Sequence, residues 1–171
     1  MYEPREDSYL ICSVVGKYAK GYVLDMGTGS GIIIEKVLKN NVKKIVAVDI
    51  DPEVVKHIKK KFKNKVECIE SDLFSNIHER FDIIFFNPPY LPYGHEEELK
   101  HIDLIGGKKG NEIVKRFLKE APKFLNKDGK IILLLSSLTK RRGLFNSYRK
   151  KIITRQKLFF ETLYVYELKL K

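Results

Sequence analysis

Two hydrophobic periods run along this chain, one typical of amphipathic helices and the other typical of buried strands. Near the start, apolar side chains recur at helical spacing, as Leu10, Ile11, Val14, Val15 and Tyr18. Such spacing predicts a helix over Asp7–Tyr18. Phe81–Phe86 is instead a short and nearly continuous apolar run, which predicts a strand buried on both faces.

The same two patterns extend through the rest of the chain. The predicted strands are Tyr22–Met26, Lys44–Ile50, Val66–Ile69, Phe81–Phe86, Lys130–Ser136 and two more within Thr154–Lys171, with a break near Phe160–Thr162. The predicted helices are Asp7–Tyr18, Ile32–Leu38, a segment that begins at Pro52 after the cap Asp51, Glu112–Leu125 and the basic segment Lys140–Lys151. Between the fourth strand and the helix at Glu112, Leu91–Gly110 shows no period, and we expect a long functional or disordered loop there.

The alternation of strands and helices, closed by a strand pair, predicts the fold class. We expect an α/β protein with a doubly wound, mostly parallel, seven-stranded sheet and helices on both faces. The core elements occupy the whole chain, so residues 1–171 are predicted to form a single domain without a separate substrate-recognition domain.

Composition narrows the class of protein. The chain is 43% hydrophobic and 32% charged, which is typical of a soluble globular protein, and its apolar runs are far too short to cross a bilayer. With no apolar signal segment at the start, we expect a cytoplasmic protein. Cys12 and Cys68 are isolated, and we expect two buried free thiols. The net charge of +11 favours a nucleic-acid or ribosomal partner, or equally reflects solvated helix faces.

A glycine-rich turn follows the first predicted strand, in the pattern Asp25-x-Gly27-x-Gly29-x-Gly31. Glycines there let the backbone approach a ligand closely. The turn is not the dinucleotide fingerprint GxGxxG, because Ile32 stands where the third glycine belongs. Asp25 would repel a pyrophosphate, and it suits a ligand that carries an ammonium or sulfonium group.

Asp25, Asp49 and Asp72 follow or end three successive predicted strands. In a parallel sheet these ends share one edge. Each acid has a separate part of S-adenosylmethionine to meet: Asp25 the amino acid, Asp49 the ribose hydroxyls and Asp72 the adenine amino group, with the Leu73 N–H near ring N1. Any one of them alone is equally well explained as a helix cap, whereas the ordered set beside the glycine turn indicates this cofactor.

The fourth strand ends abruptly in Asn87-Pro88-Pro89-Tyr90. The two prolines fix a rigid turn and push Asn87 out of the helical region. The turn therefore presents an amide, a backbone carbonyl and a ring at the ligand-binding edge. The Asn87 side-chain oxygen and the Pro88 carbonyl suit the two N–H groups of a planar amine or amide, against which Tyr90 would pack.

The glycine turn together with Asn87–Tyr90 resembles class I methyltransferases (Rossmann-like) that act on an amino nitrogen. That group includes adenine amino-methyltransferases of DNA and RNA and the HemK-type glutamine methyltransferases of translation release factors. Tyr2–Leu10 is similar to the opening motif of the short archaeal and eukaryotic branch of the release-factor enzymes. Further similarities to that branch lie in Ile102-Asp103, Gly106–Gly110, Arg116-Phe117 and Thr154–Leu163, although the segment before Gly106 is shorter than usual.

The resemblance implies a release-factor glutamine N-methyltransferase that uses S-adenosyl-L-methionine. The alternative is an adenine amino-group methyltransferase acting on DNA or RNA, because both acceptors offer an N–H₂ on a planar carbon. A cofactor-binding sensor without activity is a third class. In this branch a small zinc-binding activator pairs along a sheet edge. The candidate edge here is Val66–Ile69, which we expect to be exposed and apolar. We therefore expect the chain alone to be poorly soluble or weakly active.

The predicted site has two sets of residues and no metal ligands, since His95–Leu99 lacks the second histidine of HExxH. The catalytic set is Asn87, Pro88, Pro89 and Tyr90. The cofactor set is Ser8, Asp25, Gly27, Thr28, Gly29, Gly31, Asp49, Ile50, Asp72, Leu73 and Asn87. For Ser8, a cofactor contact and a helix cap are both open.

Overall fold

The computed structural model describes residues 3–89 and 111–171, and a seven-stranded sheet forms its centre. The strands are β1 (Gly21–Met26), β2 (Val42–Asp49), β3 (Glu67–Glu70), β4 (Phe81–Phe86), β5 (Leu125–Ser136), β6 (Tyr148–Lys157) and β7 (Thr162–Leu170). The helices are α1 (Glu6–Tyr18), α2 (Ile32–Val37), α3 (Pro52–Phe62) and α4 (Glu112–Glu120), with short 3₁₀ turns at Lys63–Lys65 and Ala121–Phe124.

The sheet order is β3-β2-β1-β4-β5-β7-β6. The first five strands in that order run parallel, and β7 is antiparallel to both of its neighbours. Because the chain moves outward from β1 to β2 and β3 and then returns to β4 on the other side of β1, a switch point opens between β1 and β4. The predicted doubly wound, mostly parallel sheet is confirmed.

Two hydrophobic cores lie on opposite faces of this sheet. One core packs α1, α2 and α3 against alternate strand residues such as Val23, Ile83 and Phe85. The other packs α4 against the intervening residues, including Leu24 and Phe86. Successive strand residues therefore enter different cores, which is why these strands read as continuous apolar runs rather than alternating ones.

The predicted Asp51 cap and the two buried free thiols are confirmed. The Asp51 side chain caps α3 by accepting a hydrogen bond from the Glu53 backbone N–H at 2.8 Å, and Pro52 occupies the first turn. Cys12 and Cys68 are buried and free, and burial raises their pKa values to about 12 and about 11, so both remain protonated thiols. Within the described ranges, no helix is long and apolar enough to cross a membrane, and no acidic, His or Cys cluster suits a metal ion.

The predicted helix over Lys140–Lys151 is wrong. The segment begins with turns and then becomes β6, which starts at Tyr148 and pairs along its length with β7. Tyr148 is buried and its hydroxyl donates to the Leu118 carbonyl at 2.7 Å, so the strand is anchored beneath α4. Of the cations in this segment, Arg149, Lys150 and Lys151 lie on the strand with exposed side chains, and Lys140, Arg141 and Arg142 precede it.

The predicted helix over Glu112–Leu125 is also too long, because α4 ends at Glu120. A 3₁₀ turn follows, with Pro122 in its first positions. Proline lacks the N–H that an α-helix interior needs, so the regular helix stops just before it. Residues 126–129, which precede the predicted strand Lys130–Ser136, belong to the start of β5, where the register with β4 shifts.

Candidate active site

A cavity of about 460 Å³ opens at the carboxyl ends of β1, β2 and β4. Its wall combines the start of α1, the glycine turn, the residues after β2 and β3, the Asn87-Pro88-Pro89 turn and one face of α4. This is the switch point of the sheet, where α/β proteins bind their ligands. Its volume lies within the range of cofactor pockets.

The glycine turn is fastened to β2 by two hydrogen bonds. The Thr28 N–H donates to the Val48 carbonyl at 2.9 Å, and the Gly29 N–H donates to Asp49 Oδ2 at 3.0 Å. Gly29 has a φ of +50°, and a Cβ at this position would meet no atom of the described residues within 4 Å beyond its chain neighbours, so the backbone there borders open space. Gly27, Thr28 and Gly29 all line the cavity.

Gly31 does not line the cavity, and its surroundings indicate a packing role. It precedes α2 with a φ of +76°, and a Cβ there would lie 2.7 Å from both Ile58 Cδ1 and the Phe62 ring. Its missing side chain lets α2 begin against α3. This is the helix-packing task that the third glycine performs in dinucleotide-binding turns.

Asp25 lies beneath the glycine turn, 1% exposed, and is likewise absent from the cavity wall. Its Oδ2 accepts a hydrogen bond from the Thr28 hydroxyl at 2.8 Å, whereas its Oδ1 has no partner among the described residues. Burial is the main cause that raises the pKa of Asp25 to about 7; the Thr28 hydrogen bond lowers it and the charge of Asp49 raises it. An unsatisfied buried acceptor of this kind is costly unless a donor or a proton arrives.

Asp49 ends β2 at the cavity wall with both carboxylate oxygens held by backbone N–H groups. Oδ2 accepts from Gly29, and Oδ1 accepts from Asp51 at 3.1 Å. Each oxygen has a second lone pair, so the fixed carboxylate retains acceptor capacity for a diol. The neighbouring Ile50 lines the cavity while 66% exposed, which leaves an apolar surface suited to a flat ring.

Asp72 and Leu73 follow β3 on the same side of the cavity. Asp72 Oδ2 pairs with Arg116 Nη2 of α4 at 2.8 Å, so one of its oxygens is already engaged. Leu73 has a φ of +51°, an uncommon conformation for a residue with a Cβ, and backbone strain of this kind concentrates at functional sites.

Asn87 is held by a residue from the opposite end of the chain. Its Nδ2 donates to Asp7 Oδ2 at 2.8 Å, and a carboxylate can only accept, so this contact fixes which way the amide is turned. The Asn87 Oδ1 atom is buried and has no hydrogen-bond partner among the described residues. Asp7 thus leaves the Asn87 oxygen as an available acceptor.

Pro88 and Pro89 line the cavity beside Asn87, whereas Tyr90 lies outside the described residues, as do the Leu91–Gly110 loop and its motifs. Ser8 lines the cavity and is buried. The cap interpretation of Ser8 is wrong, because α1 begins at Glu6 after Arg5 and Ser8 lies within its first turn. Its hydroxyl donates to Asp7 Oδ1 at 3.4 Å.

Two charged residues of the site were not predicted from the sequence as site residues. The hydrophobic pattern places Asp7 at the start of a helix, whereas in the structure its side chain is 3% exposed and contacts Asn87. Arg116 reaches the cavity from α4 and pairs with Asp72. Both residues lie in segments that resemble the release-factor enzymes, and this resemblance is the sequence signal that points towards them. Neither hydrophobic pattern nor residue spacing links Asp7 to Asn87 or Arg116 to Asp72.

Comparison with known proteins places this geometry in a family. Residues 6–157 match the sequence family described as "Methyltransferase small domain". A Methanocaldococcus jannaschii protein named "Putative protein N5-glutamine methyltransferase" is 40% identical over 96% of this chain and 89% of its own length. The release factor glutamine methyltransferase of Streptococcus pneumoniae is 34% identical over 65% of this chain, and the matched region spans only 44% of that longer protein.

Among solved structures, the chain is similar to one in the E. cuniculi Mtq2-Trm112 complex, described as responsible for methylation of the eRF1 translation termination factor. The TM-score is 0.77 at 24% identity, over 99% of this chain and 98% of the other. A ribosomal protein L11 methylase from Lactobacillus delbrueckii subsp. bulgaricus gives a TM-score of 0.70 at 19% identity, over 98% of this chain and 81% of its own. At these identities the likeness establishes the fold.

Proposed function

This chain belongs to the methyltransferase small domain family, and from that premise we propose that it methylates the side-chain amide nitrogen of a glutamine, using S-adenosyl-L-methionine. The fold is that of class I methyltransferases, as predicted from the sequence. The protein is a methyltransferase by family, and the cofactor, the acceptor and the residue roles that follow are the proposal.

The observation that carries the proposal is the orientation of Asn87. Its Oδ1 lacks a partner among the described residues, and its Nδ2 is tied to Asp7. A carboxamide nitrogen is a poor nucleophile because its lone pair is delocalised. Hydrogen bonds from its two N–H groups to Asn87 Oδ1 and the Pro88 carbonyl would hold the nitrogen in place and favour the positive charge that develops on it during transfer.

The residues present fit the cofactor. The Asp25 carboxylate lies beneath the glycine turn and off the cavity wall, so it would attract an ammonium group through its charge. Asp49 suits the ribose diol, and Ile50 with Leu73 suits the adenine ring. When bound, this group supplies an activated methyl on a sulfonium. The protein's part is then to position the acceptor nitrogen for in-line displacement and to exclude water, after which the nitrogen loses its proton.

Asp72 is proposed as the acceptor for the adenine amino group through the carboxylate oxygen that Arg116 does not hold. The pairing with Arg116 fixes that carboxylate at the cavity wall. Gly27, Thr28, Gly29 and Ser8 complete the proposed cofactor contacts, and Pro89 and Tyr90 complete the proposed acceptor turn. For Gly31 we propose packing of α2 on α3 in place of the expected direct cofactor contact.

The proposed acceptor is the glutamine of a Gly-Gly-Gln tip on a translation release factor. Support comes from relatives named for glutamine methylation, one of which matches along nearly the whole chain. An adenine in DNA or RNA is the alternative, because Asn87 and Pro88 would hold its amino group equally well. We further propose that residues 1–171 act as one domain in the cytoplasm.

A small zinc-binding partner subunit along β3 is part of the proposal. β3 ends the sheet and pairs only with β2 among the described strands, and the similar E. cuniculi chain was solved in complex with Trm112. The expectation that this edge is exposed and apolar is wrong. Val66 and Cys68 are buried, and the exposed side chains of β3 are Glu67 and Glu70. A partner would therefore pair with the main chain, and poor solubility of the chain alone is no longer expected.

The acceptor is tested with purified protein, S-adenosylmethionine labelled in its methyl group, and a release factor beside its Gln→Ala variant at the Gly-Gly-Gln tip. We expect label in the first only, and one added methyl on the glutamine by tandem mass spectrometry. Equal labelling of both release factors, or labelling of DNA or RNA alone, would reject the glutamine as the acceptor.

The catalytic role of Asn87, which a cofactor-binding sensor without activity would not need, is tested by Asn87→Ala. We expect turnover to fall by about 100-fold or more, as when a group that stabilises developing charge is removed, while the dissociation constant of S-adenosylhomocysteine stays within a few-fold. Isothermal titration and single-turnover kinetics measure the two quantities. Unchanged turnover would remove Asn87 from the catalytic set.

A further inference from the structure

The positive charge of this protein is concentrated at one end of the sheet. Residues 140–171 contain ten Lys or Arg residues and two Glu residues, so eight of the eleven net positive charges lie there. The exposed cations of β6, here called the basic edge, are Arg149, Lys150, Lys151, Arg155 and Lys157. Within residues 3–89 and 111–171, none of them forms an ion pair.

The strand that carries these cations is the last of the sheet, paired only with β7 among the described strands. Arg149 lies directly opposite Lys169 in the register, and like charges in that position destabilise a sheet. Since strand side chains alternate between faces, Arg149 and Lys151 project to one side and Lys150 to the other. Lys151 lies opposite Glu167, whose ion pair is with Lys130. The repulsion between Arg149 and Lys169 is a cost to the free protein, and a polyanion along the edge would relieve it.

A small cavity of about 300 Å³ lies beside the start of the basic edge. Arg141, Lys150 and Lys171 contribute to its lining together with Asn146, and none of the described residues that line it is acidic. Arg141 is held in place, because its guanidinium donates to the Tyr166 hydroxyl at 2.6 Å and lies over the Tyr164 ring at 5.0 Å. Three cations around one cavity suit a phosphate group.

Two aromatic rings stand exposed at the other end of the edge. Phe159 and Phe160, 97% and 77% exposed, form the turn between β6 and β7, and their ring centroids lie 5.7 Å apart. The turn is ordered by a hydrogen bond from the Leu158 N–H to the Glu161 carbonyl at 2.8 Å. Exposed rings beside a row of cations are the combination that proteins use to stack unpaired bases while holding the phosphate backbone.

We propose that the basic edge and the Phe159-Phe160 turn form a docking surface for single-stranded nucleic acid. The phosphates would lie along β6, one of them near Arg141 and Lys150, and unpaired bases would stack on the two rings. A flat membrane would meet only the cations on one side of the strand, whereas a flexible polyanion can contact both sides. The alternation of Arg149, Lys150 and Lys151 therefore favours the nucleic acid.

This surface is separate from the proposed active site. β6 lies three strands away from β4, which precedes Asn87, so the two are about 14 Å apart across the sheet. Ser136 at the end of β5 pairs with Leu163 at the start of β7. The turn at Phe159, which joins β6 to β7, therefore lies at the edge of the sheet where β5 ends. A nucleic acid bound to the basic edge would thus lie beside the catalytic cavity without filling it.

The test measures fluorescence anisotropy of a labelled oligouridylate of about 15 nucleotides, with the whole chain and no cofactor, at several salt concentrations. We expect Arg149→Glu/Lys151→Glu to weaken binding at least about tenfold and to reduce the salt slope by roughly 1.4, at about 0.7 per lost phosphate contact. Phe159→Ser/Phe160→Ser should weaken binding by about tenfold or more with the salt slope unchanged.

The matched control is Lys59→Glu/Lys60→Glu, which makes the same charge change on exposed positions of α3 near the other end of the sheet. It should alter binding by less than about threefold, and thermal melting should show that every variant folds. Equal weakening by this control would reduce the effect to net charge and overturn the proposal. Tighter binding to duplex DNA, to polyglutamate or to phosphatidylserine vesicles, or no oligouridylate binding at about 0.1 M salt, would overturn it as well.

Discussion

At the scale of single residues, the site depends on a contact between Asp7 and Asn87, which are distant in the sequence. Asn87 can present either its oxygen or its amino group to a ligand, and only the oxygen can accept N–H bonds from a planar amide. The Asp7 carboxylate at 2.8 Å selects that orientation before any ligand arrives. Asp7 is thus a positioning residue, which acts on the acceptor through Asn87.

We therefore expect Asp7→Ala to lower kcat by about 10- to 100-fold, which corresponds to losing a hydrogen bond to a charged group of roughly 1.5–3 kcal/mol. The Km for the protein substrate should change less than kcat, because the orientation matters most as charge develops on the nitrogen. Steady-state kinetics with a release factor would measure both quantities. Asp7→Asn should recover part of the activity, because its side-chain oxygen can still accept from Asn87.

The control for this position is Glu6→Ala, one residue earlier in α1 and exposed to solvent. It should leave kcat unchanged. If Asp7→Ala weakened S-adenosylhomocysteine binding as much as it lowered kcat, Asp7 would be a cofactor contact rather than a positioning residue.

Asp25 gives a second prediction at this scale, on pH. Burial raises its pKa to about 7, so the carboxyl is neutral below that pH and does not attract an ammonium group. Affinity for S-adenosylhomocysteine should accordingly be highest above pH 7 and fall as the pH drops, by up to about tenfold per unit. Isothermal titration between pH 5.5 and 8.5 would show this dependence.

Asp25→Asn is the matching control, because it keeps the shape of the side chain and removes its titration. The variant should bind S-adenosylhomocysteine more weakly at pH 8 and with little dependence on pH below 7. A wild-type affinity that stays constant from pH 5.5 to 8.5 would argue against a role for the Asp25 charge in binding.

At the scale of secondary-structure elements, the glycine turn combines two different requirements. Gly29 borders open space, whereas Gly31 lies where a Cβ would meet Ile58 and Phe62 at 2.7 Å. Both have positive φ, so substitution of either by alanine has a conformational cost of roughly 1–2 kcal/mol. Only Gly31 adds overpacking, which costs about 1–3 kcal/mol more.

Gly31→Ala should therefore lower the free energy of unfolding by about 2–5 kcal/mol, and Gly29→Ala by only about 1–2 kcal/mol. Urea denaturation of the two variants without cofactor would measure the difference. Equal losses would mean that α2 and α3 adjust freely and that Gly31 serves the backbone conformation alone.

The elements that could be predicted from the sequence are those whose pattern is local. The buried strands β1, β2 and β4 and the capped start of α3 follow from apolar runs and from Asp51-Pro52. The first part of β6, before the predicted strand that begins at Thr154, could not be found in this way, because its exposed positions are cationic and it is specified by pairing with β7, which follows it in the chain. The same limit hid the Asp7–Asn87 and Arg116–Asp72 contacts, which link residues 80 and 44 positions apart.

At the scale of the whole molecule, the sheet formed by the described strands ends in two different edges. β3 at one end is four residues long, with Glu67 held by Lys44, which also pairs with Glu79. β6 at the other end is ten residues long and cationic. A short strand with charged side chains resists self-association. It still leaves main-chain groups on one side for a partner that adds a strand there.

The two edges permit an internally controlled test of the partner subunit. Adding a small zinc-binding partner of the proposed kind should slow amide hydrogen exchange in β3, because the added strand covers its outer main-chain groups. Exchange in β6 should not change, which makes that strand the reference within the same molecule. Mass spectrometry of peptic peptides resolves the two strands. The proposal requires protection at β3 together with a gain in turnover; protection at β6 instead, or full activity of the chain alone with no protection at β3, would contradict it.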